Sequence, residues 1–148
     1  MAEIKNQNFN HLKIHSQYSI CEGAIKINDL KDFCKEKKIQ SVVISDTSNL
    51  SGALEFSENL SKVGSQPIIG TQINFKFENS IGLLPIIATN NQGYKTIIEL
   101  SSKSYLNNDT LSEPHLDINE LYENIEGIII FFFTINGLIG KLFNNGKF

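Results

Sequence analysis

Apolar residues along this chain fall into two kinds of stretch. Some are short runs with strand-like spacing; others recur every three or four residues, as on one face of a helix. Between His11 and His15, Leu12 and Ile14 alternate with His11, Lys13 and His15. That period of two predicts a strand with Leu12 and Ile14 toward a core and the other three side chains on the opposite face. Asn28 can cap a helix running to Lys38, with Leu30, Phe33 and Cys34 as its stripe, and residues 41–45 form a Val-Val-Ile strand. A helix from Asn49 would turn Leu50, Ala53, Leu54, Leu60 and Val63 inward and stop at Gly64. Residues 67–77 and 83–88 predict two strands, and Pro85 argues against a central position for the second unless a bulge absorbs it.

A helix from Asn90 or Asn91 to Leu106 carries Tyr94, Ile97, Ile98 and Leu100, and residues 107–115 read as an exposed loop. Asp117 and Glu120 suit a capping box opening a short helix. Residues 127–133 are a continuous apolar strand, the pattern expected with both faces covered. Residues 136–143 close the series as a helix with Leu138, Ile139 and Leu142 on one side. The alternation predicts an α/β fold with parallel strands and right-handed crossover helices.

Composition narrows what such a domain does. At 148 residues, 41% hydrophobic and 20% charged, the chain is one ordinary domain, 1–148, able to bury a core. The net charge is −3 and all 13 basic residues are lysine, so the chain lacks the basic surplus and guanidinium forks of a nucleic-acid grip. The 17 asparagines beside all-lysine cations look like the codon bias of an AT-rich genome, so single Asn or Lys residues carry little weight. Cys21 and Cys34 have no repeated spacing and read as free thiols, Cys34 as a small core residue. The polar N-terminus lacks a secretion signal, and the longest apolar run, 128–133, is too short for a bilayer. The expectation is a cytoplasmic protein without a membrane partner.

The candidate chemistry sits after the first strand. Ser16, Ser19 and Gly23 mark an irregular loop that returns Glu22 toward the strand end, beside His11, Lys13 and His15. Two imidazoles, an amine and a carboxylate make one wall of a polar pocket; the alternative is two half-buried strand histidines. There is no P-loop, dinucleotide-binding glycine motif or nucleophile elbow. Ser101 to Ser104 reads as helix surface, and His115 after Pro114 as solvated.

The motifs resemble one family in order along the chain. Lys13-Ile-His15-Ser16, Tyr18-Ser19 and Glu22-Gly23 are similar to the opening of the PHP (polymerase and histidinol phosphatase) domain. The likeness is to the PHP domain at the N-terminus of the bacterial C-family replicative polymerase, the polymerase III alpha subunit. Residues 44–53, 67–72, 88–94, 100–101 and 126–128 continue the match. The resemblance implies a distorted seven-stranded β/α barrel with metals at the carboxyl ends of its strands. That domain is longer than this chain, so the expectation is an incomplete barrel: a fragment, a natural truncation or a relic, with an exposed parallel edge.

Family members with an intact site would hold zinc or manganese on His and carboxylate ligands. Position by position, this sequence has Lys13 for the first His, Thr47 for the His after Asp46, Gln72 for a Glu and Leu83 for a further His. His15 and Glu22 (for Asp) remain as vestigial donors. Four of the six positions are thus lost or weakened, and a multinuclear site is not expected. In its place Lys13 would neutralise Glu22 or Asp46; a loop-capping role for Asp46 is the alternative. The pocket would comprise His11, Lys13, His15, Glu22 and Asp46, with His11 a hydrogen-bonded wall residue and no catalytic residue or cofactor.

The resemblance implies a noncatalytic module for folding and docking, joined to the rest of the polymerase alpha subunit and a proofreading exonuclease subunit. DNA and magnesium would be engaged only by the full-length parent, a DNA-directed DNA polymerase. The alternatives are a free-standing metal-dependent PHP phosphoesterase and an interaction module of other partnership.

Overall fold

The computed structural model describes residues 9–108, 112–132 and 137–146. Its elements are α1 (Ile27–Lys37), β1 (Ser41–Thr47), α2 (Ala53–Lys62), β2 (Gln66–Phe77), β3 (Ser80–Ala88), α3 (Asn91–Leu106), β4 (Leu116–Asp117), α4 (Ile118–Tyr122), β5 (Ile128–Ile130) and α5 (Leu138–Asn144). The sheet runs β1-β2-β3-β5, and β4 pairs with the far end of β2. It is mixed, which corrects the expected all-parallel arrangement. β1 and β4 run parallel to β2, whereas β3 is antiparallel to both β2 and β5. The physical cause is the connection: β2 ends at Phe77 and β3 begins at Ser80. Two intervening residues suffice for a hairpin but cannot carry a crossover.

The segment before α1 lies along the outer edge of β1 as an isolated parallel bridge between Ile14 and Ile44, not as a full strand. Val43 N–H donates to the His11 carbonyl and Ser45 N–H to the Ile14 carbonyl. Three residues on one side therefore oppose two on the other, which is a bulge, and the alternation slips by one. Ile14 is buried as predicted, but Leu12 remains 38% exposed instead of facing the core.

Two apolar clusters pack helices onto the sheet. One joins Ile14, Val42 and Ile44 to Ile27, Leu30 and Cys34 of α1 and to Phe56 and Leu60 of α2. The other joins Ile73, Phe75, Leu84 and Ile86 to Ile97 and Leu100 of α3, with Leu138 and Leu142 of α5. Helix phase explains the departures from the predicted stripes. α2 starts only at Ala53, so Phe56 and Leu60, four apart, point inward while Leu54 is 73% exposed. Likewise Leu30 and Cys34 carry the α1 stripe, and Phe33 is left 45% exposed. Tyr94 and Ile98 on α3, Ile129 on β5 and Ile139 on α5 are also partly exposed. Burial pushes the Cys34 thiol pKa up, as expected for a core cysteine.

Helix starts follow local chemistry unevenly. Asn90 caps α3 by accepting from Gly93 N–H at 2.9 Å. α1 begins one residue before Asn28, after Lys26, which makes no side-chain cap bond. Asp117 caps α4 through Asn119 N–H, while Glu120 leaves the expected capping box to meet Lys103 at 3.2 Å. Pro85 does lie in a central strand: its carbonyl accepts from Phe131 N–H just past the three-residue β5, so its missing donor faces the end of that pairing. The ends of the predicted 127–133 strand and 136–143 helix at Phe133 and Asn136, and residues 109–111 of the predicted loop, lie outside the described residues.

Gly127, at φ +73°, brings its carbonyl against the start of α3, where a Cβ on Gly93 would sit 1.7 Å from that oxygen. Gly93→Ala is expected to lower unfolding stability in urea by about 1–3 kcal/mol through this backbone clash; a change within experimental error would show that the α3–β5 junction yields freely.

Candidate functional site

The carboxyl ends of β1 and β2 meet the loop 15–23 in one hydrogen-bonded cluster. Asp46, the penultimate residue of β1, is only 2% exposed, and its carboxylate is filled by that loop. Oδ1 accepts from Ser16 N–H at 2.6 Å and from the Ser19 hydroxyl at 2.8 Å, and Oδ2 accepts from the Ser16 hydroxyl at 2.7 Å. A charge-assisted set of this kind holds an anion in a buried place without a cation. Thr71 Oγ1 closes the other side by donating to the Asp46 carbonyl at 2.7 Å.

Beside it, four side chains form a chain of directed bonds. Gln72 Nε2 lies 3.1 Å from His15 Nε2 and 3.0 Å from Thr47 Oγ1. An amide nitrogen only donates, so His15 Nε2 accepts and the ring proton sits on Nδ1. From there Nδ1 faces Ser19 Oγ at 3.2 Å and Glu22 Oε2 at 3.5 Å. Ser19 already donates to Asp46, leaving its lone pairs for His15 and for Thr47 N–H at 3.0 Å. Thr47 Oγ1, having accepted from Gln72, donates to Glu22 Oε2. Every proton in the cluster therefore has one direction.

The structure thus brings His15, Glu22, Thr47 and Gln72 together and sets Asp46 directly behind them. Lys13 does not join: among the described residues it makes no ion pair, which corrects its expected pairing with Glu22 or Asp46. The reason is geometric and chemical. The bulge at residues 11–14 displaces Lys13, and both carboxylates already have donors. Asp46 takes the loop-capping role instead. His11, Lys13, His15 and Glu22 line an adjoining, largely apolar cleft of about 750 Å³, of which Asp46 is no part. The His11 ring meets Phe9 edge-on at 4.8 Å, an aromatic contact where a hydrogen bond was expected. Leu83 lies opposite Asn74 in the β2–β3 register and lines a small apolar space beside α5.

Residues that the sequence reading passed over complete the site. Ser16 and Ser19 looked like loop punctuation but are the donors to Asp46. Buried Asn74 donates to Glu113 at 3.0 Å, tying the loop before β4 to β2. His115 Nδ1 lies 2.8 Å from the Glu113 carbonyl in an exposed loop contact. Tyr18 donates to Glu55 at 2.7 Å, and that bond, with the carboxylate's charge, raises the phenol above its ordinary range. Only the alternation of hydroxyls with the strand end hinted at these partners.

The model of the PHP domain family matches residues 11–148. DNA polymerase III subunit alpha of Caulobacter vibrioides is 34% identical over 160 residues, covering 99% of this chain and 14% of that protein. The subunit of the same name from Rickettsia felis is 34% identical over 90% of this chain and 11% of its own length. That from Borreliella burgdorferi is 33% identical over 95% and 13%. The chain spans about a seventh or less of the length of these curated relatives. Among solved structures, an amidohydrolase from Chromobacterium violaceum overlays at a TM-score of 0.49 with 12% identity, covering 64% of this chain and 34% of that one.

Asp46→Ala would strand three donors, two of them hydroxyls, in a buried place. It is expected to cost about 3–5 kcal/mol in chemical denaturation, with Asp46→Asn losing less because its Oδ1 still accepts. Equal losses for the two variants would contradict this assignment of donors.

Proposed function

This chain belongs to the PHP domain family, and from that premise we propose that it is the opening part of the N-terminal PHP module of a polymerase III alpha-type replication protein. In this reading its sheet is the first portion of a seven-stranded β/α barrel. It serves as a noncatalytic scaffold for the rest of the alpha subunit and a docking platform for a proofreading exonuclease subunit. DNA synthesis and its magnesium ions belong to other parts of the larger protein, and the whole acts in the cytoplasm. No helix among the described residues is long and apolar enough to cross a membrane, in keeping with that placement.

One observation carries the scaffold reading. His15 Nε2, the lone pair an imidazole would offer a metal, accepts from the Gln72 amide at 3.1 Å. Zinc and similar ions need several such donors converging. Here Thr47 and Gln72 contribute a hydroxyl and an amide, Leu83 a hydrocarbon, and Glu22 is engaged by Thr47. Among the described residues no three His, Cys, Asp or Glu side chains gather as a metal site requires. The donor set does not fit a multinuclear centre, and no hydrolytic step is derived from one.

Purified protein dialysed against zinc or manganese and then buffer is expected to retain far less than one equivalent of metal by elemental analysis. It should show no manganese-dependent phosphatase turnover above background. Stoichiometric metal, or turnover abolished by His15→Ala, would overturn the scaffold reading in favour of a phosphoesterase. The exonuclease subunit is expected to co-purify with the full-length alpha-type protein and to be lost when residues 11–146 are deleted; retention would remove the docking role.

A further inference from the structure

The pair Thr47 and Gln72 carries more chemistry than a hydrogen bond. Their Cα positions are partners in the parallel β1–β2 ladder, so the sheet itself holds a hydroxyl against a primary amide. Both strand ends are clamped: Ser48 N–H donates to the Gln72 carbonyl at 2.8 Å, and the Thr71 hydroxyl to the Asp46 carbonyl at 2.7 Å. Thr47 Oγ1 lies 3.0 Å from Gln72 Nε2, and the amide carbon Cδ is one C–N bond, about 1.3 Å, from that nitrogen. The terminal torsion of a glutamine side chain is broad, so a turn of the amide brings Cδ within the ~3–3.5 Å of a near-attack contact. Gln72 is only 2% exposed, which keeps water away from the same carbon.

A hydroxyl attacks an amide slowly without a base, and one is in place. Thr47 Oγ1 donates to Glu22 Oε2, the bond from nucleophile to base that such a reaction requires. His15 Nε2 accepts the other amide proton at 3.1 Å and fixes the plane of the amide. From this geometry we propose that Thr47 and Gln72 form an autocatalytic modification site, an ester cross-link between β1 and β2 made with Glu22 as general base. Thr47 Oγ1 bonds to Cδ as its proton passes to Glu22 Oε2. The Cδ–Nε2 bond then breaks, and the same carboxyl gives that proton to the departing nitrogen, since both contact Thr47 Oγ1. One ammonia leaves, the ester oxygen is that of Thr47, and no oxidant or reductant is consumed. The hydrogen-bond directions described above are those of the chain before this step. The inference is independent of the scaffold reading, which an uncross-linked chain would leave standing.

The purified full chain, incubated at neutral pH, is expected to lose the mass of one ammonia. Trypsin should then release residues 39–62 and 63–76 as one species joined through Thr47 and Gln72, where the uncross-linked chain yields two. Mild alkali should open that species, leaving a side-chain carboxylate at position 72 and a free Thr47 hydroxyl. Thr47→Ser, which keeps the hydroxyl, should still link, and Thr47→Val should not. Glu22→Gln should slow the mass change about a hundredfold, the share a general base supplies. Native-like circular dichroism would show each variant to be folded. An unchanged mass in the unsubstituted chain would overturn the inference, whatever the variants do. So would an ammonia loss that persists in Thr47→Val or maps to asparagine. Hydrolysis of the Gln72 amide without a link would overturn it too, assigning the attack to water.

Discussion

The amide of Gln72 has two protons and two acceptors, His15 Nε2 and Thr47 Oγ1, and the order of the site depends on its serving both. Its placement on β2 is not incidental. Gln72 pairs in register with Thr47 across the parallel β1–β2 ladder, so the two side chains emerge side by side at the strand ends. His15 reaches them because residues 11–16 ride on the other edge of β1. Three adjacent backbone positions thus converge through sheet geometry alone, and the hydrogen-bond directions follow from which atoms can donate.

That arrangement answers an electrostatic problem. Asp46 and Glu22 lie near one another at a strand end, and two carboxylates there need compensation. Lys13 does not supply it. Dipoles do: two serine hydroxyls and a backbone N–H on Asp46, and a threonine hydroxyl on Glu22. Directed donors fix geometry more tightly than a mobile ammonium would, because each has a single partner. The loop 15–23 is thereby pinned to the sheet at several points. The same arrangement leaves Lys13 to the neighbouring cleft.

Much of this was legible in the residues, and the failures have physical causes. The sites of most strands and helices followed from spacing, as did the Asn90 cap and the burial of Cys34, though not β4 or the bridge at Ile14. Strand direction did not, because periodicity is blind to it; only the two-residue link at 78–79 betrayed the β2–β3 hairpin. Leu12 was misplaced by a bulge, an event of pairing that no local pattern records. Lys13 was matched to a carboxylate on charge alone, whereas Ser16 and Ser19, uncharged and common in loops, had already satisfied Asp46. Neutral donors make weak sequence signals even where they decide the chemistry.

Family membership describes the ancestry of the fold, and the side chains at the strand ends describe its present use. Both meet in one atom, Nε2 of His15. Long-range ¹H–¹⁵N correlation of the His15 ring tests this most directly. The account predicts a neutral ring protonated at Nδ1, with Nε2 at an acceptor's shift that changes on Gln72→Leu. A proton on Nε2, or an Nε2 shift that moves on adding zinc, would contradict it.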